Sequence, residues 1–168
     1  MVVWFNYSLA CGKSFRSSNC QKSFPASILT LHREMAVGNT FGATALSSYG
    51  GFWLSLAIVL TPGGFDIVAS YKTSTANVND FNNAFGYFLM GWWIFTTLLL
   101  LCTLRSTLAF FLLFFTLDLA FLFLACGHLT ASAAGVANAS LLKAGGYFGI
   151  FAAFLAWYNA LAGIADDR

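Results

Sequence analysis

Charge is what this sequence has least of. Lys, Arg, Asp and Glu make up 8% of its 168 residues, against roughly 25% in an ordinary soluble domain. With 59% apolar residues beside so few charges there is no polar coat to face water, and a soluble globular domain is excluded. The net charge of +2 is small and the basic residues stand singly, which excludes the basic stripe of a nucleic-acid binder. Metal-ligand spacing is missing too. Cys11 and Cys20 lie near the N-terminus and Cys102 and Cys126 at the ends of apolar runs, while His32 and His128 read as solitary residues outside the spans. No metal site follows, and Cys102 and Cys126 read as buried, inert thiols. Gly12-Lys13-Ser14 imitates the end of a phosphate-binding loop, but Tyr7 stands where that loop needs a glycine. No nucleophile sits beside a base in any motif, so the sequence points to neither an enzyme nor a cofactor.

What is abundant is apolar length. About 20 helical residues cover a hydrocarbon core of about 30 Å, and four stretches reach that length: Gly38 to Leu60, Phe85 to Leu104, Thr107 to about Cys126, and Leu141 to about Ile164. The expected class is an all-α integral membrane protein with four transmembrane helices. Thr61-Pro62-Gly63-Gly64 stops the first span. The loop after it reaches about Asn83 and ends in the polar patch ANVNDFNN, with a short interfacial helix expected over Phe65 to Tyr71. Arg105-Ser106 leave room only for a tight turn, so the second and third spans form an antiparallel hairpin. Residues 1–33 are Ser-rich, basic and without helical period, and read as a tail or as sequence foreign to the domain.

The first span is the unusual one. A helix that only sat in lipid would not gather Asn39, Thr40, Thr44, Ser47, Ser48 and Tyr49. At about 100° per residue, Thr40, Thr44, Ser47 and Gly51 share one face, and Gly38, Gly42, Ala45 and Tyr49 the opposite one. The first face offers hydroxyls to backbone, neighbouring helices or a solute. The second lets another backbone approach beside a single aromatic ring. Gly145, Gly149 and Ala153 form a comparable close-packing stripe on the fourth span. Asp118 is the one acidic residue inside a span, and a carboxylate there costs about 2.5–3.5 kcal/mol unless it faces the bundle interior or a wet cavity. It reads either as a proton carrier or cation partner, or as a neutral acid bonded to a neighbouring helix. Asn159 reads as interhelical glue or ligand. Thr96 and Thr97 are expected to return their hydroxyls to their own helix.

Charges orient the spans. Lys13, Arg16, Lys22, Arg33, Arg105 and Arg168 fall on one side, and Lys72 and Lys143 on the other. The positive-inside rule puts both termini in the cytoplasm. The sequon Asn138-Ala139-Ser140 then faces outside.

Two stretches, EMAVGNTFGATALSSYGGFWLS (Glu34 to Ser55) and FAAFLAWYNALAGIA (Phe151 to Ala165), resemble the acetate transporter family, which includes bacterial acetate/succinate–proton symporters and fungal acetate transporters linked to ammonium export. The resemblance covers about Glu34 to the C-terminus. It implies a six-helix protomer, usually a hexamer, that conducts small monocarboxylates through a hydrophobic constriction in the plasma membrane. Tyr49 would be the aromatic constriction residue on the SYG motif, and Leu117, in FFTLDL, the aliphatic one. Asn39, Thr40, Thr44, Ser47, Ser48, Asp118 and Asn159 would be pore-lining or packing polar residues. The four spans correspond to the third through sixth helices of the family, whose first two, with an NPAPLGL-type motif, have no counterpart here. Two main readings follow, with a third beside them. One is transport of acetate and related monocarboxylates, with proton coupling and ammonium export as open variants; the other is a truncated, non-transporting fragment that associates with full-length subunits. An ammonium or water channel without carboxylate selectivity is a third.

Overall fold

The computed structural model describes residues 36, 38–61, 65–73 and 79–165. The region 1–33, with Cys11, Cys20, His32 and Gly12-Lys13-Ser14, lies outside the described residues, as do Pro62-Gly63-Gly64 and Asp166-Asp167-Arg168. Among the described residues the elements are α1 (Thr40–Leu60), α2 (Ile67–Thr73), α3 (Asp80–Cys102), a 3-10 turn (Thr103–Arg105), α4 (Leu108–Leu129) and α5 (Ala139–Ala165), with no strand. Helices α1, α3, α4 and α5 are long and apolar enough to cross a membrane. The all-α, four-span architecture is therefore present.

The chain divides into two units between Ser74 and Thr75. In the first, α1 opens on Asn39, whose Oδ1 accepts the Gly42 N–H at 2.9 Å and so satisfies one of the orphan donors at a helix start. Gly38 lies before the cap, at φ 76°. It is thus a turn residue and not part of the helical face to which the periodicity assigned it, and glycine takes that left-handed step without the Cβ penalty other residues pay. Ala43, Ala45, Tyr49 and Phe52 are buried, while Thr40, Thr44 and Gly51 are exposed. Helix α2 begins at Ile67, two residues later than expected, after Asp66 at φ 47°. Aspartate tolerates that region better than most side chains.

In the second unit α4 packs against both α3 and α5. The expected hairpin forms: the 3-10 turn and Ser106-Thr107 join α3 to α4. Helix α3 starts at Asp80, five residues before the expected Phe85. Asp80 sits in its first turn, where a carboxylate complements the helix dipole, and in the polar patch Asn82 itself is buried and finds half-buried partners in Gly135 and His128. Helix α4 runs on to Leu129, which places His128 in its last turn and corrects the expectation that this histidine lies outside the spans.

Glycine sets the helix spacing. A Cβ on Gly86 of α3 would meet Leu129 Cγ at 2.7 Å; one on Gly127 of α4 would meet Leu142 Cδ2 at 2.9 Å; and one on Gly145 of α5 would meet Leu124 Cγ at 2.8 Å and the Ala120 carbonyl at 3.2 Å. In each pair a leucine lies on the bare backbone opposite. Between helices in lipid, where the hydrophobic drive is absent, such packing and polar contacts hold the bundle. Phe123 stacks on Phe148 at 5.4 Å across the same α4–α5 seam.

Candidate functional site

Three hydroxyls of α1, those of Thr44, Ser47 and Ser55, bond carbonyls of their own helix. Thr44 Oγ1 donates to the Thr40 carbonyl at 2.8 Å, and Ser47 Oγ to the Thr44 carbonyl at 3.1 Å. Their lone pairs still face outward, since Thr44 is exposed and Ser47 half-buried. Ser48 and Gly42 are half-buried, and Tyr49 is 3% exposed. The two faces read from periodicity are thus distinct in burial: hydroxyls outward, Ala45 and Tyr49 inward.

Asp118 lies near the middle of α4, half-buried, next to half-buried Leu117. Its carboxylate bridges to α3. Trp93 donates its indole Nε1–H to Oδ2 at 3.2 Å, and Thr97 Oγ1 lies 2.7 Å from Oδ1. Trp93 and Thr97 are one helical turn apart, so their side chains share a face of α3 and grip the two oxygens together. Thr97 Oγ1 also lies 3.0 Å from the Trp93 carbonyl. The sequence reading sent this hydroxyl back to its own helix and did not connect it with Asp118. A signal was available: Thr97 lies ten residues before Thr107 and Asp118 eleven after it, so an antiparallel hairpin turning there brings them level. Thr96, by contrast, returns its hydroxyl to Trp92 O at 2.8 Å and is fully buried.

A second polar cluster closes the other end of the same hairpin. Asn82, 7% exposed, donates Nδ2–H to the Gly135 carbonyl at 2.8 Å, and its Oδ1 lies 3.2 Å from His128 Nδ1. A carbonyl can only accept, so the amide nitrogen faces Gly135 and the His128 proton is on Nδ1. The His128 ring meets Phe85 edge-on at 4.9 Å. These contacts tie the α4–α5 loop to the start of α3. Asn138, of the sequon, accepts the Ser140 N–H at 3.1 Å and starts α5. At that helix's far end Asn159 Nδ2 donates to Leu155 O at 2.8 Å and to Ala109 O of α4 at 3.3 Å, an interhelical tie. Of the small-residue stripe, Gly145 packs closely against α4, Gly149 has open space where a Cβ would stand, and Ala153 is exposed. Among the described residues no group of His, Cys, Asp and Glu could hold a metal. Cys126 is half-buried, whereas Cys102, the last residue of α3, is exposed and not the buried thiol expected.

Comparison with known proteins gives a consistent picture. The profile of the family described as GPR1/FUN34/yaaH matches residues 25–168. Acetate permease A of Emericella nidulans is 65% identical over 134 residues, which is 80% of this chain and 45% of the relative. Ammonia transport outward protein 2 of Saccharomyces cerevisiae is 46% identical over 135 residues, 80% of this chain and 44% of the relative. The chain thus spans less than half the length of these fungal relatives. Among solved structures, the bacterial acetate channel SatP superposes with a TM-score of 0.64 at 30% identity, covering 84% of this chain and 70% of that one.

Proposed function

This chain belongs to the GPR1/FUN34/yaaH family, and from that premise we propose that it forms part of a membrane path for acetate and related small monocarboxylates. The observation that carries the reading is the 65% identity to an acetate permease, supported by the likeness to an acetate channel. The two fungal relatives and the solved structure carry the names of a permease, a transport protein and a channel, and none of them is named as an enzyme. Tyr49, a buried aromatic ring in the first unit, and Leu117, an aliphatic side chain in the second, are each proposed as constriction residues on the strength of the family resemblance. The outward lone pairs of Thr44 and Ser47, with Asn39, Thr40 and Ser48, are proposed to steady the permeant or a neighbouring helix. Gly42, on the opposite face of α1, is proposed to leave room for a neighbouring helix to approach beside Tyr49.

The proposed location is the plasma membrane, by family resemblance; the proposed orientation, from the positive-inside rule, has both termini and the Arg105 turn in the cytoplasm; and the proposed assembly is a homo-oligomer, hexameric by family resemblance. The wide exposed apolar face of α5, with Tyr147, Ile150, Phe151, Phe154 and Trp157, suits lipid or a neighbouring copy. Ammonium export is a second reading, favoured by the relative named for outward ammonia transport. The test is labelled acetate uptake into lipid vesicles holding the chain, against empty vesicles. Saturable uptake that changes in Tyr49→Ala and Leu117→Ala supports the reading. Uptake no greater than in empty vesicles overturns it.

A further inference from the structure

Within the transport reading, on which its functional meaning rests, we infer that Asp118 is a proton-holding site whose neutral and ionised states are both accommodated by Thr97 and Trp93, with no movement of α3 against α4. The argument is a count of hydrogens. Thr97 Oγ1 lies within bonding distance of two acceptors, Asp118 Oδ1 at 2.7 Å and the Trp93 carbonyl at 3.0 Å. A threonine hydroxyl has one hydrogen and two lone pairs, so it cannot donate to both at once. With Asp118 ionised, the Thr97 hydrogen points to Oδ1. With Asp118 neutral, its Oδ1–H donates to Thr97 Oγ1, and Thr97 turns its own hydrogen to the Trp93 carbonyl. The Trp93 Nε1–H stays on Oδ2 at 3.2 Å in both states. Every donor keeps an acceptor, and the passage between states is the rotation of one O–H bond.

The proton balance is simple. A carboxylic acid permeant or a water gives a proton to Oδ1, and a carboxylate or water takes it back. Asp118 makes no ion pair among the described residues. The titratable groups on the helices packed around it are Asp80, Tyr87 and Cys102 on α3, Cys126 and His128 on α4, and Lys143, Tyr147 and Tyr158 on α5. The closest along the chain are removed by about five residues from Thr97 or about six from Trp93, roughly 8–9 Å along the helix. Thr97 and Trp93 are therefore positioning residues for this carboxyl.

Infrared difference spectroscopy of the full chain in lipid vesicles, titrated from about pH 4 to about pH 9, tests the inference. A protonated-carboxyl band is expected that is absent in Asp118→Asn. Its frequency is expected to shift in Thr97→Val and in Trp93→Phe, since each removes a hydrogen-bond partner of the carboxyl, and to return toward the original in Thr97→Ser. No band sensitive to Asp118→Asn, or equal band frequencies in Thr97→Val and Thr97→Ser, overturns it. Acetate uptake in the same vesicles keeps the two readings apart. A titrating Asp118 without uptake overturns transport and leaves the proton site, whereas uptake without an Asp118 band does the reverse.

Discussion

Gly145 and Gly149 lie one turn apart on α5, yet their surroundings differ, and this makes a controlled experiment. An added Cβ at Gly145 would stand 2.8 Å from Leu124 Cγ, 3.1 Å from Leu124 Cδ2 and 3.2 Å from the Ala120 carbonyl, while at Gly149 it would meet nothing within 4 Å. Leu124 Cγ is a branch point, not a free side-chain end, and the carbonyl belongs to the α4 backbone, so relief requires the helices to part. Alanine gains about 1 kcal/mol of helix propensity over glycine at either position, so that gain cancels in the comparison. What remains is the overpacking at Gly145, about 1–3 kcal/mol. Unfolding of the full chain in mixed micelles, followed by circular dichroism, should find Gly145→Ala less stable than Gly149→Ala by about that amount. Equal stabilities, or a larger loss at Gly149, would refute the assignment of Gly145 as the contact that sets the α4–α5 spacing.

Other substitutions separate structural from functional roles. Asn39→Ala should destabilise α1 by about 1 kcal/mol through loss of its cap, and Asn39→Asp should restore it, as measured by the same unfolding assay. If Asn39→Asp is as damaging as alanine, the cap is not what Asn39 supplies. Asn82→Ala leaves the Gly135 carbonyl and His128 without their partner, at a cost of about 1–3 kcal/mol. Hydrogen exchange should quicken selectively in residues 130–138, and uniform exchange across the chain would contradict that local tie.

The architecture is written in the sequence because lipid leaves little choice: a long apolar run must satisfy its own backbone, and only a helix does so. The ends are harder to read. Asn79–Asn83 look like loop by composition, and α3 nevertheless begins there because the partners of Asn82 lie in the last turn of α4 and in the following loop. Periodicity told which residues of α1 share a face. On α5 it could not tell which of Gly145, Gly149 and Ala153 meets another helix, since that depends on where Ala120 and Leu124 of α4 fall. Asp118 stood out as a lone acid, but its grip by Trp93 and Thr97 is a property of the hairpin register and not of any local motif.

The most direct measurement is competition for labelled acetate uptake in vesicles containing the full chain. The account predicts saturable uptake that unlabelled acetate suppresses and ammonium does not. Uptake suppressed equally by both, or absent beyond that of empty vesicles, would contradict a carboxylate path.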